Sequence, residues 1–333
     1  QLKDTESRLF AAQGTQVAFA AFNFENWARE QYPQLLADTR VREALDLAVD
    51  RDSYASELFL GLIDQNAAST VAQPWANDPS VTNPKRDVQK AKKLLADAGF
   101  RDANGDGMLD DPTGLPFTLT AIVRSDANPL LIETLNSLVK DFADIGAALT
   151  VNQLTPADFY DTWANTRAWD LIAYSYALYP GFTDYDLYGS NWDIQINPQG
   201  WNPGGYDNDE VDDLLKKILI SPNLDSQAAL LAQLQEIVNG EDLFGLWFGF
   251  PNDLMLSRMD IQGFQPNKYL PAVDTRILWR DASGSGPVAP IAPATPVASP
   301  VASPVASPVA ATPVPATPVR ATPVPAASPA ATP

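Results

Sequence analysis

The residues with most chemical potential in this 333-residue chain lie between positions 174 and 202. Tyr174, Tyr176 and Tyr179 are followed by Asp184, Asp186, Trp192, Trp201 and Asn202, with glycines between them. Aromatic faces of this kind either pack a core or form a wall that accepts varied side chains or sugar rings. Alternation along an extended segment puts Tyr174 and Tyr176 on one face. Trp192, Trp201 and Asn202 fall in the same irregular stretch and are candidates to line a cleft. Asp184 and Asp186 read either as solvated loop acids or as groups facing a ligand. Carboxylate-pair hydrolysis needs two acids held roughly 5–10 Å apart across a bond. Two acids this near in sequence do not flank a bond from opposite sides, so no enzyme is expected. The chain contains no His and no Cys. That excludes Ser-His-Asp and Cys-His centres and any zinc site built on those ligands, and it disfavours free nickel as a ligand.

A second cluster is DANGDGMLDD, positions 102–111. Asp102, Asn104, Asp106 and Asp110 stand where a calcium loop has its first, third, fifth and ninth positions, with Gly107 at the sixth. Thr113 replaces the bidentate Glu at the twelfth. The stretch reads as a hydrophilic turn between helix and strand or as a weak, partial calcium site, and no other cofactor is expected. The same acids would repel phosphate, so the two glycines do not make a phosphate loop.

The formal net charge is −19. The tail from Ala282 onward carries one Arg and no acid, so residues 1–281 carry −20. Such a surface does not neutralise nucleic-acid phosphates. It keeps like molecules apart, in keeping with a monomer, and attracts cationic groups such as peptide ammonium ends. No run approaches the ~20 apolar residues of a membrane span.

The elements that must position these residues read as an alternating series. Gln16–Phe24 is a buried strand. Thr39–Gly61 reads as one amphipathic helix with Val41, Ala44, Leu45, Ala48 and Val49 on its stripe, Asp38 at its cap and Gly61 at its end. Asp87 caps a helix ending at Gly99, and Pro116–Arg124 is a strand. Asn128-Pro129 opens a helix lined by Ile132, Leu135, Leu138, Val139, Phe142 and Ile145. Strand 148–154, a short Thr155-capped helix and a half-buried strand, 169–176, lead into the aromatic stretch. A helix with a capping box from Asp207 to Glu210, another over 226–238, a strand over 243–250 and short strands and turns over 253–279 complete the series. This is an α/β layer fold. The tail, 282–333, holds 14 of the 29 prolines in tandem Ala-Ser-Pro-Val and Ala-Thr-Pro-Val units. Its composition predicts a disordered, extended stalk and favours an extracytoplasmic location.

Several segments, in order, resemble the family 5 extracellular solute-binding proteins, the dipeptide-, oligopeptide- and nickel-binding receptors of ABC importers. They are AAFNF (20–24), VREALDLAVDR (41–51), DVQKAKKLLADAGF (87–100) with its acidic turn and LPFTLT, FADIG followed by ALTV, WDLIAYSY, GGYDNDEVDDLL and LFGLWFGFPNDLMLSRMDIQGFQPN (243–267). The resemblance implies the C-terminal lobe of a two-lobed, class C periplasmic-binding-protein-like clamp, with the N-terminal lobe largely missing. On that reading residues 1–22 are a remnant of the first lobe and crossover, 23–247 the solute-binding lobe, 248–281 a return towards the first lobe, and 282–333 the tail. A chain beginning at Gln1 would lack one jaw for hinge closure. The implied function is reversible binding of peptides, without chemistry, and delivery to a membrane permease by a monomer tethered to lipid or wall. An oligosaccharide ligand and a calcium-stabilised wall scaffold are the alternatives. In peptide receptors of this family an Asp after the WDLIAYSY-like strand holds the ligand ammonium. Here the pattern is one residue short and lacks a Pro, which favours Asp184 slightly over Asp186. Asn23 falls at the lobe crossing, as a ligand or hinge contact.

Overall fold

The computed structural model describes residues 7–26, 28–29, 32, 35–65, 75–177, 185–265 and 278–280. Tyr179, Asp184 and the tail 282–333 lie outside them. The strands are β1 (Ser7–Gln13), β2 (Gln16–Phe22), β3 (Ile63–Asp64), β4 (Thr118–Arg124), β5 (Ala148–Leu154), β6 (Leu171–Ala177), β7 (Gly245–Arg258), β8 (Ile261–Gln262) and β9 (Trp279–Arg280). The main sheet runs β1-β7-β2-β6-β4-β5, with β3 also on β7, and β8 and β9 form a separate pair. β4 lies parallel to both β5 and β6. β2 is antiparallel to β6 and β7, and β1 to β7. β2 thus runs through the middle of the sheet.

Both faces of the sheet are covered, and β2 shows why its sequence is almost wholly apolar. Val17, Phe19 and Ala21 face one layer with the helices Asp209–Leu219 and Leu224–Gln235. Ala18, Ala20 and Phe22 face the other, with the helices Thr39–Ala48, Val88–Asp97 and Pro129–Ala143. Each Leu or Phe fully buried in these layers contributes about 1.5–3 kcal/mol. The same two-sided cover corrects the expectation for β6. Leu171 and Ala173 pack one layer and Ile172, Tyr174 and Tyr176 the other, so the strand is buried on both faces rather than half-buried.

Four other expectations change. Thr39–Gly61 is two pieces. The helix Thr39–Ala48 stops at Val49, whose backbone is extended, and Asp50 caps a new turn by accepting from Ser53 N. The break is held by tertiary contacts: Asp141 accepts the Asp50 N–H at 2.9 Å, and the Arg51 guanidinium reaches the Trp247 carbonyl at 2.7 Å. Asp38 does cap the first piece, and Gly61 is left-handed with φ 76°. The buried stripe of Pro129–Ala143 is Leu131, Leu135, Leu138 and Phe142, whereas Val139 is exposed, because the helix faces its layer along a line rotated from the one expected. Asn208, not Asp207, caps Asp209–Leu219 through the amides of Glu210 and Val211. Finally, β7 continues unbroken to Arg258, because β1 pairs with it over Asn252–Arg258.

Candidate functional site

Three parallel strands, β4, β5 and β6, deliver their carboxyl ends to one place. Open α/β sheets bind ligands at such ends, where loops rather than ladder partners complete the surface. Here the ends border a cavity of about 570 Å³. Arg124 closes β4, Pro156 and Phe159 follow β5, and Ala173, Tyr174 and Ser175 belong to β6. Gln16 enters from the start of β2, and Trp201 and Gly200 from the loop after β6.

The wall is aromatic. Trp163, Tyr174 and Trp201 stand with ring centroids 5.9 Å apart in every pair. Phe159 and Tyr160 extend the wall from Trp163 at 6.0 and 6.3 Å. A triangle of that size is filled by its own rings, so the group is a packed wall, not an open cage. Its outer surface is offered by Trp201 and Tyr160, which are 41% and 46% exposed. Thr155 caps the helix Pro156–Tyr160 by accepting from Asp158 N, and the chain continues as a wider turn over Asp161–Thr166. That run projects Phe159, Tyr160 and Trp163 together. The only charged side chains lining the cavity, among the described residues, are Arg124 and Asp126. They pair with each other in two bonds of 2.8 and 2.7 Å, and the guanidinium holds the Asp126 carboxyl below its ordinary range. The cavity is therefore mostly apolar, with Gln16, Asn128, Ser175 and Gln199 as uncharged polar lining and a self-neutralised ion pair.

The residues singled out from sequence divide. Tyr174 and Trp201 line the cavity, and the Tyr174 hydroxyl donates to the Trp201 carbonyl at 3.2 Å. Tyr176 and Asp186 sit behind it. The Tyr176 hydroxyl donates to Asp186 at 2.8 Å, and the Asp186 carbonyl accepts the Trp201 N–H at 3.0 Å. Burial holds the Asp186 carboxyl above its ordinary range, with the Tyr176 bond opposing. Trp192 packs edge-on against Tyr185 and does not line the cavity. Asn202 is fully buried. Its amide nitrogen donates to the carbonyls of Gly189 and Tyr206, and its oxygen accepts from Tyr206 N. It fixes the loop instead of facing a ligand. Asn23 is likewise consumed, donating to the carbonyls of Arg167 and Trp169 and accepting from Glu25 N. Arg167, fully buried and left-handed at φ 48°, pairs with Asp193 and Glu25 beside it.

Trp163, Tyr160, Phe159, Arg124 and Asp126 were not anticipated. The signal available was the Phe159-Trp163 spacing of four behind a capped helix start, which puts two aromatics on one face. The acidic turn, which reads either as a hydrophilic turn or as a weak calcium site, turns its side-chain oxygens towards its own amides. Asp102 accepts from the amides of Gly105 and Gly107, Asn104 from Asp106, Asp106 from Met108, and Asp110 from Ala103. Among the described residues no three acids gather as a metal site.

A two-faced α/β domain with an aromatic cavity at the carboxyl ends of its parallel strands has the geometry at which open α/β sheets take ligands. The chain belongs to the bacterial extracellular solute-binding proteins of family 5: the model of that family's middle region matches residues 1–209. It is 30% identical to the oligopeptide-binding protein AppA of Bacillus subtilis over 72% of this chain and 43% of that protein. It is 26% identical to heme-binding protein A of Haemophilus influenzae over 72% of this chain and 40% of that one. The solved structure of the B. subtilis AppA with a nonapeptide superposes with a TM-score of 0.68 at 21% identity, covering 84% of this chain and 53% of that one. The chain thus spans about half the length of the relatives it matches or less.

Proposed function

We propose that this chain is the C-terminal, solute-binding lobe of the receptor of an ABC importer, located outside the cytoplasm, and that the receptor binds peptides reversibly and passes them to a membrane permease. The observation that carries this is the aromatic cavity at the ends of β4, β5 and β6 in a family 5 lobe. A packed wall of Trp163, Tyr174 and Trp201 accepts apolar side chains of differing shape, which suits a ligand set of varied peptides. The resemblance to a protein named for oligopeptide binding supports the same choice. Residues 23–247 make the lobe, 1–22 and 248–281 cross to and return from the first lobe, and the segment 282–333, outside the described residues, serves to tether the receptor to lipid or wall. Of the two candidate acids we assign the ligand ammonium to Asp184, because Asp186 sits behind the cavity wall and accepts from the Tyr176 hydroxyl. In a closed, dewatered cleft such a charge-assisted bond is much stronger than on a surface.

Native mass spectrometry against pools of di- to nonapeptides tests this reading, with cello- and malto-oligosaccharides as the competing class. Retention of peptides, lost in an Asp184→Ala, Asp186→Ala double variant, is expected. Retention of sugars alone, or of neither pool, overturns it.

A further inference from the structure

The turn that closes β4 builds an ion pair beside the cavity. The Ala127 N–H donates to the Arg124 carbonyl at 3.1 Å, and the Ser125 N–H donates to the carbonyl of Leu154, the last residue of β5, at 2.7 Å. A four-residue turn of this kind brings its third residue back towards its first. Asp126 therefore meets the Arg124 guanidinium in a two-bond fork, Nε to Oδ1 and Nη2 to Oδ2. The fork engages both carboxylate oxygens at once. The two side chains are 49% and 53% exposed, so the pair adds little to stability. What it changes is the charge that a group entering the cavity meets.

Among the described residues Arg124 is the only cation in the lining and Asp126 the only anion. A carboxylate brought in meets both at similar range. Attraction and repulsion then nearly cancel, and the hydration it gives up is not replaced. The rest of the polar lining suits a different guest. Gln16, Ser175 and Gln199 are exposed at the cavity from β2, β6 and the loop after β6. Amides and hydroxyls both donate and accept, so they can partner a neutral group that does the same. An amide or hydroxyl side chain loses no charge hydration on entry, and its apolar part lies against the aromatic wall.

We propose that Asp126 is a specificity residue: by occupying Arg124 it makes the cavity select an uncharged polar side chain over a carboxylate, glutamine over glutamate, at one position of a bound peptide. This rests on the peptide reading of the site. The selection works by withholding a counter-charge from the rejected ligand rather than by adding a contact to the accepted one.

The test uses isothermal titration of the full chain with alanine-based tetrapeptides in three pairs, Gln or Glu at the second, third or fourth residue. Their C-termini are amidated, which leaves the Glu side chain as the only carboxylate. In wild type one pair is expected to favour Gln. Asp126→Asn frees Arg124 and should tighten the Glu peptide of that pair by about fivefold at low salt, while holding the Gln peptide within about twofold. The gain should shrink at high salt, as an exposed charge contact does. Asp97→Asn removes the same charge from a helix outside the cavity lining and should give no such gain. Glu bound as tightly as Gln in every wild-type pair, no gain for Glu in Asp126→Asn, or an equal gain in Asp97→Asn overturns the inference and leaves the peptide reading standing. No binding of any tetrapeptide overturns both. The wild-type pairs decide the matter even if Asp126→Asn folds poorly.

Discussion

Arg167 offers a sharp test of how the loop that carries Trp201 is held. The guanidinium is fully buried and pairs with Asp193, whose side chain is 11% exposed, and with Glu25, whose side chain is 56% exposed. Asp193 also accepts the Gln195 N–H at 2.9 Å, and lies in the segment that runs from Asp186 to Asn202. Arg167→Met keeps the length and most of the packing but strands the Asp193 charge. Removing one partner of a buried pair costs about 3–5 kcal/mol. The Glu25 contact is half in water and adds less than about 1 kcal/mol. The backbone carbonyl of Arg167, which accepts from Asn23, is unchanged by the substitution. The expected loss is therefore about 3 kcal/mol or a little more, read by urea unfolding at pH 7. Adding Asp193→Asn to Arg167→Met removes the stranded charge and should recover most of that loss, since replacing a whole buried pair is often nearly neutral. A single variant costing under about 1 kcal/mol, or a double variant no more stable than the single, would show that the pair is not what holds this loop.

Asp186 gives a pH-dependent test. Burial raises its folded value above 3.8, so the folded state holds the proton more tightly than the unfolded one. The stability this proton contributes is present below 3.8 and lost as pH rises through the folded value. Asp186→Asn should thus gain in melting temperature relative to wild type between pH 4 and pH 7, and a gap that shrinks over that range refutes the assignment. Gly204→Ala places a Cβ against the Phe22 carbonyl and within 2.9 Å of the Asn23 Cα. Because both obstacles are backbone, the expected loss is at least about 2 kcal/mol by thermal or urea unfolding, and a variant within about 0.5 kcal/mol of wild type contradicts the close approach. Calcium to millimolar concentration should leave the melting temperature unchanged, because the acids of the 102–110 turn are engaged by its own amides. A rise of several degrees would restore the calcium loop.

What the sequence determined by itself is the part of the protein written in local patterns. Asp38, Asp87, Asn128 and Thr155 cap helices as their residue types require, and Gly99 and Gly146 end helices with positive φ. These need only a few neighbouring residues to act. The ordered run of motifs also fixed the family. The tertiary structure decided everything that depends on two distant segments meeting. Asp50 breaks the first long helix because Asp141, 91 positions away, accepts its amide. β6 is buried on both faces because β2 and β4 flank it in the middle of a sheet covered by helices on both sides. Asn23 and Asn202 read as ligand contacts in sequence, yet burial obliges Asn23 to satisfy a carbonyl 146 positions away and Asn202 to satisfy backbone groups of its own loop. The binding wall shows the same division. Tyr174 and Trp201 stood out as aromatics, but Trp163 joins them only because parallel pairing carries the ends of β4, β5 and β6 to one cavity. No pattern within a single segment encodes that convergence, since each strand end lies at least 20 residues from the next.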